Sequence, residues 1–276
     1  MTHNKIVWAV ISFLLALILA TTASAQISML PLSPYTQNFD TLAISGSSST
    51  LPTGWALAET GTGANTTYTA GTGSGNTGDT YSFGATSSTE RALGTLQSGS
   101  VIPVIGVGFT NNTGNTIGQL GISYTCEQWR LGATARVDRL DFQYSTDATS
   151  LTTGTWTNFD LLDCTAPVTS GTVGALDGNA ANNRLSISSS LSGTLSIPNG
   201  TSFWIRWQDF NAAGADDGLA VDDFSLNLFS PLAVTVNDFS ASNTGPAPLA
   251  VVAVLGVIGT AGVAVARRKR QTVACS

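Results

Sequence analysis

The chain has 276 residues, with 11 Lys and Arg against 17 Asp and Glu, one histidine (His3) and 29 glycines. No lysine occurs between Lys5 and Lys269, and all 17 acids fall between Lys5 and the basic cluster that starts at Arg267, against six arginines. Such an acidic surface repels nucleic-acid phosphates and anionic lipid. The absence of histidine and lysine from that interval excludes from it Ser-His-Asp and Cys-His nucleophilic sites, two-histidine zinc motifs, Schiff-base chemistry and a Walker lysine.

Residues 1–25 read as a secretory leader: Lys5 is basic, Ile6 to Ala20 is apolar, and Ala23-Ser24-Ala25 is a small-residue cleavage site. Residues 26–230 follow as one extracytoplasmic domain, built of short apolar runs separated by turn-forming residues. "SGSSST" (Ser45 to Thr50) and Gly61 to Asp79 read as long loops. The second contains Gly73 to Gly78, a G-x-G-x-x-G match with no βαβ unit around it and so no nucleotide signal.

"TYSFGA", "RALGTLQ" and "VIPVIGVGFT" read as strands, the last ending at the turn "NNTGN". "LGISYTCEQWR" and "DRLDFQYSTD" come next. In the latter Leu140, Phe142 and Tyr144 alternate with Asp141, Gln143 and Ser145, the period of a half-buried strand. "TWTNFDLLD" and "RLSISSSL" follow. In "SFWIRWQDF", Phe203, Ile205 and Trp207 share one face, and Trp204, Arg206 and Gln208 share the other.

The last strand lies in "GADDGLAVDDFSL", Gly214 to Leu226. Leu219 and Val221 have one parity, Phe224 and Leu226 the opposite one. The apolar face therefore switches at Asp222-Asp223, as at a β-bulge. Nine or ten such strands predict an all-β fold, an antiparallel β-sandwich of jelly-roll type.

Residues 231–248 read as a stalk. Residues 249–266 are an unbroken apolar run that spans a bilayer as a single transmembrane helix, and 267–276 opens with Arg267-Arg268-Lys269-Arg270. By the positive-inside rule this basic tail stays cytoplasmic and the domain stands outside, at the membrane or cell surface.

Cys126 and Cys164 fall outside the membrane, where a disulfide persists; two buried free thiols are the alternative. Trp129, Trp156 and Trp204 are candidates for an aromatic platform binding a polysaccharide or other surface polymer. Core packing is the alternative for each. Asp209, Asp216, Asp217 and Asp222 offer hard oxygen ligands for a structural Ca²⁺, and a solvated acidic turn is the alternative. The run from Asp209 is no EF-hand, because Ala220 stands where that loop requires a bidentate glutamate. Glu127 reads as an ion-pair partner for an arginine of a neighbouring strand rather than as a catalytic acid. With no tight acidic motif around the glutamates, we expect a non-catalytic binding or adhesive module. A glycan-directed hydrolase, or an envelope or matrix component processed by a sorting enzyme, is the alternative.

"NFDTLA" with "LPTGW" resembles the opening of MAM-like and cleaved-adhesin-like jelly-roll modules of secreted bacterial proteins. "ISYTCEQWR", "LDGNAANNR", "SFWIRWQD" and "DDGLAVDDFSL" extend the resemblance from Phe39 to Leu228. It implies a sandwich but no settled activity. The tail resembles the PEP-CTERM sorting class, with Pro246-Ala247-Pro248 where that class has Pro-Glu-Pro. That implies a sorting peptidase as a partner, in addition to the membrane.

Overall fold

A computed structural model describes residues 26–31 and 33–229. The leader, the stalk, the apolar span and the basic tail read from the sequence lie outside the described residues. Among those described, no helix is long and apolar enough to cross a membrane.

In chain order the strands are β1 (Ile27–Met29), β2 (Tyr35–Gln37), β3 (Ser47–Ser48), β4 (Trp55–Thr60), β5 (Tyr68–Gly71), β6 (Asp79–Phe83), β7 (Ala92–Leu96), β8 (Ile102–Asn111), β9 (Leu120–Leu131), β10 (Arg139–Ser145), β11 (Thr157–Asn158), β12 (Cys164–Thr165), β13 (Gly174–Ala175), β14 (Arg184–Leu191), β15 (Ser202–Asp209) and β16 (Gly218–Leu228). They form two sheets. In the first, β8, β15 and β10 lie side by side; β4 and β1 share the free edge of β8, and β11 and β12 share that of β10. In the second, β9 and β16 are central. β14 and β13 line the other edge of β9, while β7 and β2 line that of β16, followed outward from β7 by β6, β5 and β3.

The sandwich is thus present, but its sheets are mixed rather than purely antiparallel. β1 runs parallel to β8, and β5 runs parallel to β6. Hydrophobic alternation reports that a strand exists and which face it buries, not the direction of its neighbour. The two expected loops also contain strands, β3 and β5. Tyr68 anchors β5: its ring is buried, its hydroxyl donates to the Thr50 carbonyl at 2.9 Å, and the Ala43 N–H donates to it at 3.0 Å.

The two sheets face each other across one apolar core. The first contributes Ile105, Val107, Phe109, Phe142, Phe203, Ile205 and Trp207, and the second Ile122, Tyr124, Leu219, Val221, Phe224 and Leu226. Period-two alternation along β8, β9, β10 and β15 produces this arrangement. Trp207 is its hub, stacked on Trp55 with centroids 5.9 Å apart and meeting Tyr124, Phe142 and Phe224 edge-on. Burying one such ring is worth roughly 2–3 kcal/mol.

The bulge lies where the parity switch puts it. The register between β16 and β9 slips between Asp222 and Ser225, and Asp223 takes a left-handed φ of 47°. Val221 and Phe224 therefore both reach the core. Cys126 on β9 is bonded to Cys164 on β12, with Cα atoms 5.2 Å apart, so one disulfide ties the second sheet to the edge of the first.

Candidate functional site

The outer face of the first sheet carries a row of planar polar side chains. Gln143 on β10 stands opposite Arg206 on β15 and opposite Asn158 on β11. The Arg206 Nε donates to Gln143 Oε1 at 2.6 Å, its Nη2 donates to Gln208 Oε1 at 3.2 Å, and Gln143 Nε2 donates to Asn158 Oδ1 at 2.6 Å. A third donation runs from Arg206 to the Leu151 carbonyl. All these acceptors are neutral, and partial burial lowers the Arg206 pKa to about 10. Its guanidinium lies 3.9 Å from the ring centroid of Trp156, which stays half-buried.

The loop 146–156 holds Trp156 there. Asp147 Oδ1 accepts from the Ser145 hydroxyl at 2.7 Å and from the Thr155 N–H at 2.8 Å, and the Trp156 indole donates to the Thr153 carbonyl at 2.9 Å. Gly154 has φ +74°, and a Cβ there would fall 2.6 Å from Ala148 Cα, so the turn needs glycine. Ala148 and Leu151 pack the loop onto Trp204 and bury that indole completely. Trp204 is therefore packing, and Trp156 is the half-buried aromatic of this face, still reached by solvent.

Trp129 lies on the outer face of the second sheet and is also buried. It stacks on Phe83 with centroids 6.1 Å apart, and Phe83 stacks in turn on Tyr81. The segment 174–183 covers it: a Cβ on Gly178 would sit 2.3 Å from the indole nitrogen. The three tryptophans thus do not form one platform, because distant loops bury two of them.

Glu127 makes no ion pair among the described residues. Arg184 is its register partner on β14, yet Glu127 Oε2 accepts instead from the Trp129 indole, two residues along the same strand, at 2.8 Å. Glu127 is fully buried, and this burial raises its pKa to about 7. Asp222 faces it from β16, with a pKa pushed up to about 9 chiefly by burial and further by Glu127 and Asp223.

The four aspartates singled out for calcium do not converge. Asp209, Asp216 and Asp217 lie near Asp138, the last two also near Arg136, whereas Asp222 lies on the outer face of the second sheet. Asp217 is fully engaged: Oδ1 accepts from the Gly132 N–H at 2.6 Å and from Arg136 at 3.2 Å, and Oδ2 accepts from Gln128 at 2.9 Å. Arg136 also pairs with Asp138 at 2.9 Å. Asp209 Oδ2 accepts from the Thr95 hydroxyl at 2.7 Å, and Asp216 Oδ1 accepts from the Ala212 N–H at 2.8 Å. Burial raises the pKa of all three, to about 6 for Asp216 and Asp217. With a guanidinium as counter-charge and Asp217 satisfied, this group does not fit a four-aspartate calcium cage.

The sequence alternation puts Arg206 and Gln208 on one face of their strand but does not assemble them with Gln143 and Asn158. It also does not show that Glu90 and Glu127 meet Asp222.

No protein-family model matches the chain, and no curated protein matches it. Several solved structures resemble it loosely. The CBM22-1 xylan-binding domain of Paenibacillus barcinonensis Xyn10C is 14% identical, with a TM-score of 0.33 over 74% of this chain and 97% of that one. A cleaved adhesin domain of Lys-gingipain from Porphyromonas gingivalis is 11% identical, with a TM-score of 0.37 over 72% of this chain and 99% of that one. A family 35 carbohydrate binding module from Clostridium thermocellum is 11% identical, with a TM-score of 0.30 over 70% of this chain and 97% of that one. Similarity at this level assigns neither family nor function.

Proposed function

We propose that the protein is an exported, membrane-anchored surface protein whose jelly-roll-like β-sandwich binds a glycan without catalysis. Export and anchoring rest on the leader at 1–25 and on the apolar span at 249–266 with its basic tail. The binding surface is the outer face of the first sheet. The observation that carries it is the pairing of Trp156, half-exposed on a hydrogen-bonded loop, with Arg206, a half-buried cation whose acceptors are all neutral. An aromatic ring beside a row of amide and guanidinium groups matches the apolar face and hydroxyl rim of a sugar. Near this row Asp141 and Asp163 share Arg139, at 2.5 and 3.7 Å, and Asp147 is held by the Ser145 hydroxyl and the Thr155 N–H, which favours a structural role for these acids. The group of three carboxyls that converges among the described residues lies on the other sheet, where Glu127 is closed to solvent.

Affinity electrophoresis through gels containing acidic, neutral and amino polysaccharides tests this. Wild-type protein is retarded by at least one polymer. Trp156→Ala weakens that binding about tenfold or more while leaving the melting temperature within a few degrees. Equal mobility on every polymer contradicts glycan binding, and hydrolysis abolished by Glu127→Gln establishes an enzyme instead. Processing by a sorting peptidase is read from the intact mass: loss of the Arg267 to Arg270 cluster supports it, and retention means plain anchoring.

A further inference from the structure

We infer that the outer face of the second sheet holds a site for a hard divalent cation of calcium size, formed by Glu90, Glu127 and Asp222. The site is independent of the glycan-binding reading. Glu90 stands just before β7, Glu127 on β9 and Asp222 on β16, and one carboxylate oxygen from each lies within 4.8 Å of the other two. The centre of a triangle of that size is about 2.8 Å from each oxygen. Small side-chain rotations bring this to calcium–oxygen distances, whereas the shorter, stricter shell of magnesium requires a larger collapse.

Two observations separate this cluster from an ordinary acidic patch. Glu127 is 0% exposed and Asp222 5% exposed, and the enclosed atoms Glu127 Oε1 and Asp222 Oδ1 have no hydrogen-bond partner. A buried carboxylate left unpaired is costly unless a cation or a proton offsets it. Second, none of the described ion pairs involves these residues, whereas Asp138 and Asp217 in the other acidic group both pair with Arg136.

The donor set is oxygen only. Both described cysteines are committed to the disulfide, which disfavours zinc and other soft-ligand metals. The surroundings already orient the ligands. Trp129 holds Glu127 Oε2 and Asn179 holds Glu90 Oε2, in each case leaving the other oxygen free. The remaining coordination positions are for water or backbone carbonyls.

The indole hydrogen-bonded to Glu127 supplies the readout. Metal-stripped full-length protein in detergent is titrated with terbium under tryptophan excitation, and its melting temperature is followed with calcium and with chelator. Sensitised terbium emission, its displacement by calcium at lower concentration than by magnesium, and a melting temperature raised by several degrees with calcium support the site. Glu127→Gln and Asp222→Asn each lower calcium affinity at least tenfold, with metal-free melting temperatures no lower than wild type because repulsion is relieved. If either variant fails to fold, the half-buried Glu90→Gln carries the same expectation. Absence of both emission and calcium stabilisation in the wild type overturns the inference. So does loss of binding in Asp216→Asn with retention in Glu127→Gln, which places the metal at the other aspartates.

Discussion

The Cys126→Ala/Cys164→Ala protein is expected to unfold about 4 kcal/mol more easily than wild type, with a melting temperature lower by roughly 10 °C. The two cysteines are 38 residues apart, so the disulfide removes the closure entropy of a loop of that length from the unfolded chain. It also ties β9 in the centre of the second sheet to β12, a two-residue strand held to the first sheet by a short ladder. Without the bond, β12 and the adjoining turn Asp160–Leu162 keep the buried Leu162 side chain, the Tyr124 hydroxyl donating to the Leu162 carbonyl at 2.6 Å and the Phe142 N–H donating to Asp163 at 2.8 Å, but lose their covalent tie to β9. The comparison is made by thermal and denaturant unfolding of both proteins in the absence of reductant. A difference below about 1 kcal/mol would show that the bridge adds nothing beyond the packing around it.

The second large effect is on pH. Burial raises the pKa of Glu127 to about 7 and of Asp222 to about 9, and the two face each other with Glu90 and Asp223 nearby, while Arg184 partly offsets the rise at Glu127. In the unfolded chain both carboxyls ionise near their ordinary values. Between those values and the raised ones, the folded state binds more protons than the unfolded state, so stability falls as pH rises. The loss begins above about pH 4 and is complete only once pH passes the higher of the two folded values, about 9. Asp209, Asp216 and Asp217 are shifted in the same direction, so the slope alone does not identify the pair. Denaturant midpoints measured in chelator from pH 5 to 9 should fall steeply for wild type and less steeply for Glu127→Gln/Asp222→Asn. Parallel slopes would mean that these two carboxyls titrate normally.

Much of the fold is legible in the sequence because alternation along a strand is a local property. Leu140, Phe142 and Tyr144 face the core as their spacing requires, as do Phe203, Ile205 and Trp207. The bulge at Asp222–Asp223 is equally local, since one extra residue changes the parity of everything after it. The parallel pairings of β1 and β5 are not legible, because direction depends on where the chain returns from. β5 is also masked by composition: it lies in a glycine- and threonine-rich stretch, and the hydrogen bonds of the Tyr68 hydroxyl, not an apolar pattern, fix it.

The same distinction governs the site. Trp129, Trp156 and Trp204 look alike in sequence, and only the loops 146–156 and 174–183 decide which of them reaches solvent. Proximity along the chain misled in the aspartate cluster. Asp217 and Asp222 are five positions apart, yet one takes Arg136 and Gln128 while the other meets glutamates from two separate parts of the chain.

Oxidation of the protein with N-bromosuccinimide, followed by peptide mass mapping with and without the retarding polysaccharide, tests the central claim most directly. Trp156 should oxidise ahead of the buried Trp129 and Trp204, and the bound glycan should protect it. Oxidation of Trp129 or Trp204 ahead of Trp156, or an oxidation rate at Trp156 unchanged by a polymer that binds, would contradict the assignment of the first sheet's outer face as the binding surface.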